Sequence, residues 1–495
     1  MASLEELKKA RLTKLELLKK AGMEAYPAKV PRDFCLADAR NNFAEYEEGK
    51  GGKNAGKPVS LAGRVMAIRG QGAILFLVLD DGKGVFQAVV KQDVLKADLF
   101  DLLTGVLDIG DIVSVTGTFF TTNRGEQSIL VTSWTMASKS LLPLPEKWHG
   151  ITDPDERLRK RYLDFIMDPE SRDLFKKKAK FWDVTRAFLK DEGFLEVETP
   201  TLETTTGGAE ATPFKTHHND YNLDVYLRIS VGELWQKRLM AAGFPKTFEI
   251  GRIYRNEGTS PEHAQEFTNM EFYWSYADYR DGMKMVTKLY RTLAQEVFGT
   301  TKFTLKGFNF DLADEWKEID YSEEIKKQTG VDISSASDAE IKKSLDKLNV
   351  SYEGNNRERL IDTLWKHCRK SIAGPAFLVN HPTLVAPLAK SIMDKKGKPS
   401  PAVQMFQPLI AGSEIGRGYS ELNDPIDQKH RFDEQNKLFE GGDTEAMMPD
   451  DEFVEMLEHG MPPACGFGFG ERLFAVLAGK PLRETQMFPL MRPRG

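Results

Sequence analysis

Hydrophobic and polar positions follow different periods in successive parts of the chain. Over residues 3–22, one side of a helix would carry Leu4, Leu7, Leu12, Leu15 and Leu18, with lysines opposite, which predicts one amphipathic helix that ends near Gly22. Between residues 60 and 137 apolar and polar residues alternate in short runs, and Asp81-Gly82 is typical of a hairpin turn. From residue 143 onward helical and strand patterns are mixed. The pattern therefore predicts an α+β protein.

These changes of pattern set the expected domain boundaries. We expect an N-terminal helix and linker over residues 1–58, a small barrel over 59–142, and a mixed domain over 143–495. Four or five short strands in fewer than 80 residues suit a small closed barrel, for which the OB-fold is the leading candidate. A lysine- and glutamate-rich stretch with helical spacing, about 311–375, is expected to be a helical insertion in the mixed domain.

Two of these segments leave their roles open. The N-terminal helix can pack on the body of the protein with its lysines in water, or the lysines can contact RNA. The barrel can be a structural module. It can also bind an unpaired base through Phe76 and Gln87, because an aromatic ring beside an amide suits base stacking and hydrogen bonding.

Composition narrows the class of protein. At 495 residues, with 41% hydrophobic and 29% charged residues, the chain is large enough for several globular domains. Its net charge of −6 disfavours a surface coated with basic residues, although a local basic face for RNA stays compatible with that charge. The three cysteines cannot form a disulfide framework, and neither a signal peptide nor a membrane-spanning run is evident. We therefore expect a cytoplasmic protein.

Familiar catalytic motifs are incomplete or missing. Residues 51–57 come close to a phosphate-binding P-loop, but Pro58 stands where a magnesium-binding hydroxyl belongs and no strand precedes the glycines. The eight histidines are scattered, and neither a Ser-His-Asp order nor HExxH occurs. Histidine-centred catalysis and a zinc site are therefore disfavoured.

Unusual residues concentrate in three stretches of the mixed domain. The first contains Gly207-Gly208, which either lets a ligand approach the backbone or simply forms a turn. In the second, YRNEG precedes the strand EFTNMEFYWSY, where Glu271 and Tyr273 share one face. A carboxylate in so apolar a strand must meet either an internal arginine or a ligand. The third joins GSEIGRGYSELNDP to the alternating glycines of GFGFGERL, whose Arg472 is suited to hold a phosphate.

In this order the motifs resemble one known family. YRNEG…EFTNMEFYWSYADY, SEIGRGYSELNDP and GFGFGERL…FPLMRP closely resemble motif 2, the lysine pocket and motif 3 of class II lysyl-tRNA synthetases. RLTKLELLKKAGMEAYP resembles their N-terminal helix. GRVMAIRG and the next hairpin resemble their anticodon-binding OB-fold, with Phe76 and Gln87 at the positions used against the central anticodon base. The resemblance covers nearly the whole chain and implies an antiparallel catalytic sheet flanked by helices, and a homodimer with Pro200 in its interface.

The resemblance also implies a reaction and its reactants. ATP, together with Mg²⁺, would activate L-lysine to lysyl-adenylate, and the lysyl group would then pass to the 3′ end of tRNA(Lys). In-line attack of a carboxylate on the α-phosphate depends on positioning and charge neutralisation, which arginines and magnesium supply. No membrane partner is expected.

Individual residues inherit roles from the matching motifs. Arg255 and Arg472 are the implied catalytic residues. The implied ATP contacts are Arg255, Glu257, His263, Phe267, Glu414 and Arg472. The implied lysine contacts are Gly208, Glu233, Arg255, Glu271, Tyr273, Arg417, Tyr419 and Glu421. Glu421 and Tyr273 would hold the ε-ammonium, and a buried Glu421 that awaits a cation would reject amino acids without a distal positive charge.

Several positions depart from the family pattern. Gln407 stands where the family has a magnesium-binding glutamate, so Glu414 is the expected metal ligand and Gln407 a poorer one. Arg417 replaces an asparagine that touches the substrate carboxylate, and Ala264-Gln265 replace Asn-Pro. The spacing between the alternating glycines and Arg472 is also one residue shorter than in the family pattern. Because the principal arginines and specificity acids are present, we expect an active enzyme.

Two alternatives stay open from the sequence. A lysine ligase that modifies a protein is disfavoured because such relatives lack the OB-fold barrel. A non-catalytic RNA-binding or regulatory paralogue is disfavoured by Arg255, Arg472 and the two glutamates Glu414 and Glu421, although the departures at Gln407 and Arg417 leave it open.

Overall fold

The computed structural model describes residues 3–494, except residues 71, 146–150, 210, 259, 261–262, 353–355 and 441–446. The chain forms two compact units, Met1–Asp168 and Pro169–Gly495. The first unit contains a closed β-barrel with accessory helices, and the second contains a large sheet with helices. The predicted α+β class is therefore confirmed.

The first unit has six α-helices and five strands among its described residues. The helices are α1 (Leu4–Lys20), α2 (Leu36–Asn41), α3 (Phe43–Tyr46), α4 (Ala97–Val106), α5 (Pro154–Arg159) and α6 (Arg161–Met167). The strands are β1 (Val59–Arg69), β2 (Ile74–Asp80), β3 (Val85–Lys91), β4 (Ile112–Thr121) and β5 (Gln127–Ser138).

The five strands close into a barrel in the order β1-β2-β3-β5-β4. Alternate side chains point inward, so that Leu77, Leu79 and Phe86 are fully buried. The β1–β2 and β4–β5 pairs change register at irregularities that bend the strands, which helps a five-stranded sheet to close. The barrel predicted from the alternating pattern is confirmed.

The ends of helix α1 follow from local sequence. Ser3 accepts a hydrogen bond from the Glu6 amide, and the Glu6 side chain accepts one from the Ser3 amide, which completes a capping box. Gly22 has a φ of 72°, a left-handed conformation that glycine adopts at low cost just after a helix. The predicted helix end is therefore confirmed.

The apolar side of α1 is buried over only part of its length. Leu15 and Leu18 are buried, whereas Leu4 is 58% exposed. Leu15 and Leu18 join the apolar core of the barrel, so the helix packs on the barrel through its second half. Arg11 anchors that half, because its guanidinium donates to backbone carbonyl oxygens of Ile109, Ser140 and Leu142.

A buried lysine connects the barrel to the loop before β4. Lys139 directly follows β5, and its side chain is inaccessible to solvent. Its Nζ donates to the carbonyl oxygen of Val106 at 2.7 Å, to Asp108 at 2.6 Å and to Asp111 at 2.8 Å. Three acceptors satisfy all three ammonium protons, so this buried charge is fully compensated.

The second unit has nine α-helices and sixteen strands among its described residues. The helices are α7 (Pro169–Asp191), α8 (Glu233–Ala241), α9 (Tyr279–Leu293), α10 (Tyr321–Thr329), α11 (Asp338–Lys347), α12 (Arg357–Cys368), α13 (Pro425–Glu440), α14 (Asp451–Glu458) and α15 (Arg472–Leu477). The strands are β6 (Leu195–Glu196), β7 (Leu202–Glu203), β8 (Lys215–His218), β9 (Leu223–Leu227), β10 (Lys246–Tyr254), β11 (Glu266–Ser275), β12 (Lys302–Leu305), β13 (Phe308–Asp311), β14 (Lys317–Asp320), β15 (Ala376–Val379), β16 (Ser391–Met393), β17 (Pro399–Val403), β18 (Met405–Ile410), β19 (Ser413–Glu414), β20 (Arg417–Ser420) and β21 (Ala464–Gly470). In the described parts of the chain, the helices lack the combination of length and apolar character needed to span a bilayer.

Nine strands form the main sheet of the second unit. Eight follow the order β14-β15-β18-β20-β21-β11-β10-β6, and β19 pairs with β18. The central pairs are antiparallel, while β14–β15 and β10–β6 at the edges are parallel. Helices α7 and α9 pack on one face through a core that includes Phe181, Leu289, Phe272, Phe467 and Phe469. The opposite face is therefore available for polar residues.

The stretch at 311–375 contains more than helices. Helices α10, α11 and α12 share an apolar core with Leu378 of β15 and Leu409 of β18. Strand β14, which lies in the same stretch, pairs in parallel with β15 and adds an edge strand to the main sheet. The helices therefore pack against an edge strand that their own segment supplies.

Replacing Lys139 by Met should destabilise the barrel. The change leaves Asp108 and Asp111 without their shared buried cation, and breaking a buried pair costs ~3–5 kcal/mol. We expect the backbone amides of β4 and β5 to exchange their hydrogens faster in the variant, by the amount that this loss of stability predicts. Exchange is measured in the full chain. The exposed Lys83→Met change is the control and should alter stability by less than ~0.5 kcal/mol. Equal effects of the two changes would contradict the prediction.

Candidate active site

The sheet face opposite α7 and α9 carries the candidate site. Strand β21 lies between β20 and β11, and two rows of directly paired residues cross the three strands. The rows are Tyr419–Gly466–Tyr273 and Arg417–Gly468–Glu271. Because the middle residue of each row is glycine, the outer side chains can approach one another across β21.

The alternation of glycine and phenylalanine in β21 follows from its two faces. Phe467 and Phe469 are 2% exposed and belong to the core beneath the sheet. A Cβ atom at Gly466 would lie 2.0 Å from Oε1 of Glu421, and one at Gly468 would lie 2.7 Å from Cγ of Glu271. Any larger residue at these two positions would collide with Glu421 or Glu271, so the close approach of these side chains requires glycine.

Glu421 is paired with an internal cation. Its carboxylate is 1% exposed, and Oε2 lies 2.6 Å from Nζ of Lys237, which also lies 3.1 Å from Oε1 of Glu233. The expectation that Glu421 awaits a cation from outside is therefore wrong for the protein alone. Lys237 was missed in the sequence, although its position four residues after Glu233 on helix α8 places the two side chains together.

Aromatic rings surround the same cation. The ring centroids of Tyr273, Tyr419 and Phe453 lie 5.5–6.0 Å from Nζ of Lys237. The Tyr419 hydroxyl also donates to Oε1 of Glu233. Ring faces attract cations, and carboxylates do so more strongly, so this part of the site favours positive charge.

Glu271 is held by hydrogen bonds and not by an internal arginine. Its carboxylate accepts from the Val231 amide at 2.9 Å, from Asn269 at 3.0 Å and from the Tyr273 hydroxyl at 3.1 Å. No arginine forms an ion pair with it among the described residues. The buried arginine nearby, Arg228, pairs with Glu249 at 2.6 Å instead. Of the two alternatives left open by the sequence, the internal arginine is thereby disfavoured.

The carboxylates of the site hold protons more tightly than usual. Burial raises the pKa of the Glu421 carboxyl to about 8, an effect that Lys237 opposes and Glu233 reinforces. Burial also raises the pKa of the Glu271 carboxyl to about 7, with the charge of Glu233 as the next cause. The ligand-free site therefore buries more carboxyl groups than one internal lysine can keep ionised, and burial favours their protonated forms.

Arginines gather beside the acidic site. Arg255 follows β10, its Cζ lies 5.5 Å from the ring centroid of Phe267, and Nη2 donates to the Ile229 carbonyl oxygen at 3.4 Å. Its Nε has no hydrogen-bond partner in the described part of the chain. Burial lowers the pKa of Arg255, the carboxylate of Glu257 opposes this shift, and the nearby guanidinium groups of Arg472 and Arg417 lower the pKa further. Guanidinium groups held this close suit an anion with several oxygens.

The other residues predicted for the site lie around these two groups. Gly208 has a φ of 88°, and a Cβ atom there would lie 2.6 Å from Cβ of Glu233. Glu257 and His263 lie in the loop between β10 and β11, where Nδ1 of the exposed His263 is 2.7 Å from the Ser260 hydroxyl. Glu414 lies in β19, where it accepts a hydrogen bond from the indole of Trp365 at 2.5 Å.

Phe76 and Gln87 lie in the barrel unit, on the hairpin formed by β2 and β3. Phe76 pairs with Val89 and Val78 pairs with Gln87, which makes Phe76 and Gln87 diagonal neighbours on one face. Both are half-buried, and Nε2 of Gln87 donates to the Ser128 hydroxyl at 2.9 Å. The register therefore places the ring and the amide on the same face of the hairpin.

Comparison with protein families defines the class. Residues 153–492 match the family described as tRNA synthetases class II (D, K and N), and residues 59–137 match the OB-fold nucleic acid binding domain. The chain is a class II tRNA synthetase with an N-terminal OB-fold domain.

Similar proteins narrow the class further. A protein of Thermotoga maritima is 40% identical over 99% of this chain and 97% of its own length. Proteins of Moorella thermoacetica and of Roseiflexus sp. are 42% and 40% identical, over 99% of this chain and 98% and 99% of their own lengths. All three are named lysine–tRNA ligase. The chain belongs to the lysine–tRNA ligase family, which confirms the family expected from the motifs.

Replacing Glu421 by Gln should flatten the pH dependence of stability in the ligand-free protein. Because folding raises the pKa of this carboxyl, the folded state binds more protons than the unfolded chain, and stability falls as the pH rises toward 8. Between about pH 5 and about pH 8, the free energy of unfolding in urea should fall ~1–3 kcal/mol more in the wild type than in the variant. The exposed Glu458→Gln change should keep the wild-type slope. Parallel curves for all three proteins would refute the assignment.

Proposed function

We propose that the protein activates L-lysine with ATP to lysyl-adenylate and transfers the lysyl group to the 3′ end of tRNA(Lys). The observation that carries this proposal is an acidic, aromatic-walled pocket directly beside a group of arginines. Lysine carries two ammonium groups, which suit the pocket, and a carboxylate, which with the ATP phosphates suits the arginines. We also propose that the enzyme acts in the cytoplasm, because lysyl-tRNA is used there in translation.

The pocket supplies separate acceptors for the two ammonium groups. Neither oxygen of Glu421 has a hydrogen-bond partner among the described residues. Oε2 is in ion-pair contact with Lys237 and Oε1 faces Gly466, so Oε1 would accept the ε-ammonium together with Tyr273. Oε2 of Glu233 is the carboxylate oxygen next to Gly208 and would accept the α-ammonium. The rings of Tyr273 and Tyr419 would contact the aliphatic chain between them. Glu271 would orient Tyr273 through their hydrogen bond.

The arginines would bind the reacting groups. Arg255 would hold the lysine carboxylate and the α-phosphate, Arg417 would contribute to the carboxylate site, and Arg472 would neutralise the terminal phosphate. Phe267 offers a ring for the adenine. Glu257 and His263 of the loop, with Glu414, would complete the ATP contacts.

The candidate metal ligands fit one magnesium ion carried by ATP. Glu414 is half-buried and uses one carboxylate oxygen for Trp365, which leaves the other for a cation. Oε1 of Gln407 lies 2.9 Å from Nε2 of His381, so this amide oxygen is already engaged. Within the described ranges, no group of three or more His, Cys, Asp or Glu side chains is arranged for a metal. Magnesium commonly binds one or two carboxylates plus substrate phosphates, and there it would neutralise phosphate charge.

The first reaction step needs positioning more than proton transfer. The lysine carboxylate oxygen attacks the α-phosphorus, the new C–O–P bond forms, and the bond to pyrophosphate breaks. Arg255 would hold both reacting groups, because its guanidinium offers several parallel donors. In the second step a ribose hydroxyl of tRNA attacks the carbonyl carbon, and AMP leaves.

We also propose a homodimer. Pro200 lies in an exposed segment between two half-exposed leucines, Leu195 (51%) and Leu202 (50%), and Tyr221 of the same unit is 77% exposed. Exposed apolar side chains of this size support an interface between two copies of the chain.

Replacing Glu421 by Gln should abolish lysine selection and leave nucleotide binding intact. We expect kcat/KM for lysine in lysine-dependent ATP–pyrophosphate exchange to fall ~10³-fold or more, because a charged acceptor is lost. KM for ATP should stay within ~3-fold, since the arginines are unchanged. The Glu458→Gln variant should behave as the wild type. Absence of exchange in the wild-type protein would favour the non-catalytic paralogue.

Replacing Phe76 by Ala should weaken tRNA charging and spare lysine activation. Loss of one stacked base costs ~1–3 kcal/mol, so kcat/KM for tRNA(Lys) transcripts should fall ~10–100-fold. Exchange with lysine and ATP should stay at the wild-type rate, as should charging by the control Ile109→Ala, an exposed residue of the same unit. The wild type should also discriminate against a changed central anticodon base. Indifference of the wild type to that base would defeat the assignment of Phe76 and Gln87.

A further inference from the structure

We infer that Lys237 is a positioning residue: it joins the α-ammonium acceptor Glu233 to the ε-ammonium acceptor Glu421 and so sets the length of amino acid that the pocket selects. The inference rests on the proposed function, because it takes these two carboxylates as the acceptors for lysine. It adds a specificity residue that itself lies outside the contacts assigned to the substrate.

The first argument is that each of the two carboxylates contacts Lys237 through only one of its two oxygen atoms. Nζ of Lys237 contacts Oε1 of Glu233 at 3.1 Å and Oε2 of Glu421 at 2.6 Å. The Tyr419 hydroxyl also donates to Oε1 of Glu233. The remaining oxygens, Oε2 of Glu233 and Oε1 of Glu421, lie on the sides that face Gly208 and Gly466. Each carboxylate therefore uses one oxygen for the internal lysine and keeps the other for a ligand.

The second argument is rigidity. The side chains of Lys237 and Glu421 are 1% exposed, and that of Glu233 is 6% exposed, so water does not replace these contacts. Helix α8 fixes Lys237 and Glu233 on one face, whereas Glu421 follows a different element, strand β20. The ammonium group is therefore the direct link between the two acceptors, and it limits how far apart they can lie.

The third argument is charge balance. Three buried carboxylates, Glu233, Glu271 and Glu421, form the acidic part of the site. Lysine brings two ammonium groups, which leaves one carboxylate uncompensated if Lys237 is absent or is displaced by the substrate. With Lys237 retained, three cations meet three anions, while the substrate carboxylate meets Arg255. A buried unpaired charge is costly, so Lys237 stays in place when lysine binds.

Length selection follows from these arguments. Ornithine is one methylene shorter than lysine, so its two ammonium groups cannot reach both fixed acceptors. Without the lysine bridge, the carboxylate of Glu421 can move toward a shorter ligand. The wild-type protein should therefore prefer lysine over ornithine more strongly than a protein in which position 237 cannot bridge.

The test compares lysine with ornithine in the full-length enzyme. ATP–pyrophosphate exchange is measured with each amino acid, and kcat and KM are determined separately for the wild type and Lys237→Met. A missing methylene is commonly discriminated ~10–200-fold, so the lysine-to-ornithine ratio of kcat/KM should fall ~10-fold or more in the variant. KM for lysine should rise ~10-fold, and KM for ATP should stay within ~2-fold.

Two further variants make the outcome decisive. Lys246→Met removes a partly buried lysine of β10 that lies outside the pocket, and its lysine-to-ornithine ratio should equal that of the wild type. Lys237→Arg keeps a cation between the carboxylates, which protects the fold if the Met variant does not fold. Its longer, forked head should hold the two acceptors at a different separation and shift the ratio ~3-fold or more.

The possible failures can be told apart. A wild-type protein without lysine-dependent exchange would refute the proposed function. Normal wild-type exchange, combined with an unchanged ratio in whichever folded variant of Lys237 is obtained, would overturn only the inference. An equal loss of activity toward lysine and ornithine would assign Lys237 a purely structural role and would overturn it as well.

Discussion

The cost of burying negative charge is the constraint that organises the catalytic unit. Glu233, Glu271 and Glu421 lie inside the protein, where a carboxylate without a partner is strongly unfavourable. Lys237 compensates part of this charge, and hydrogen-bond donors to Glu271 stabilise another part. The remainder is left for a ligand with two positive groups. Under the proposed function, the two ammonium groups of lysine would complete this charge balance.

The sheet explains how an acidic pocket and a cationic group can lie side by side. Neighbouring rows on one sheet face are two residues apart along each strand, so Arg417 is separated from Tyr419, and Glu271 from Tyr273, by a single step. The glycines of β21 lie between them and leave room for the side chains of Glu421 and Glu271 to come close to the strand. The same strand turns its phenylalanines toward the core, so catalytic space and hydrophobic stability come from one alternating motif.

The barrel unit contains a buried charge cluster in which every proton of the ammonium group has an acceptor. Lys139 meets three oxygen acceptors, including Asp108 and Asp111, and all of its donor capacity is used. By contrast, neither oxygen of Glu421 has a hydrogen-bond partner in the described part of the chain, and only Oε2 lies in ion-pair contact with Lys237. Completed clusters of this kind stabilise a fold, whereas incomplete ones in a cavity are candidates for ligand binding.

Local patterns in the sequence were sufficient for much of the fold and for the composition of the site. The two-residue period predicted the barrel and placed Glu271 and Tyr273 on one face, and helix-capping residues predicted the end of α1 near Gly22. The order of motifs predicted the family. These features succeed because periodicity and capping depend on residues close together in the chain.

Contacts between distant segments were decided only by the tertiary structure. The exposure of the first leucines of α1, the engagement of Gln407 with His381, and the pairing of Lys237 with Glu421 have no local signature. Each depends on which strands and helices become neighbours and on how much water is excluded between them. Sequence therefore determined which chemical groups this protein has, and the packing of sheet and helix determined which of them meet.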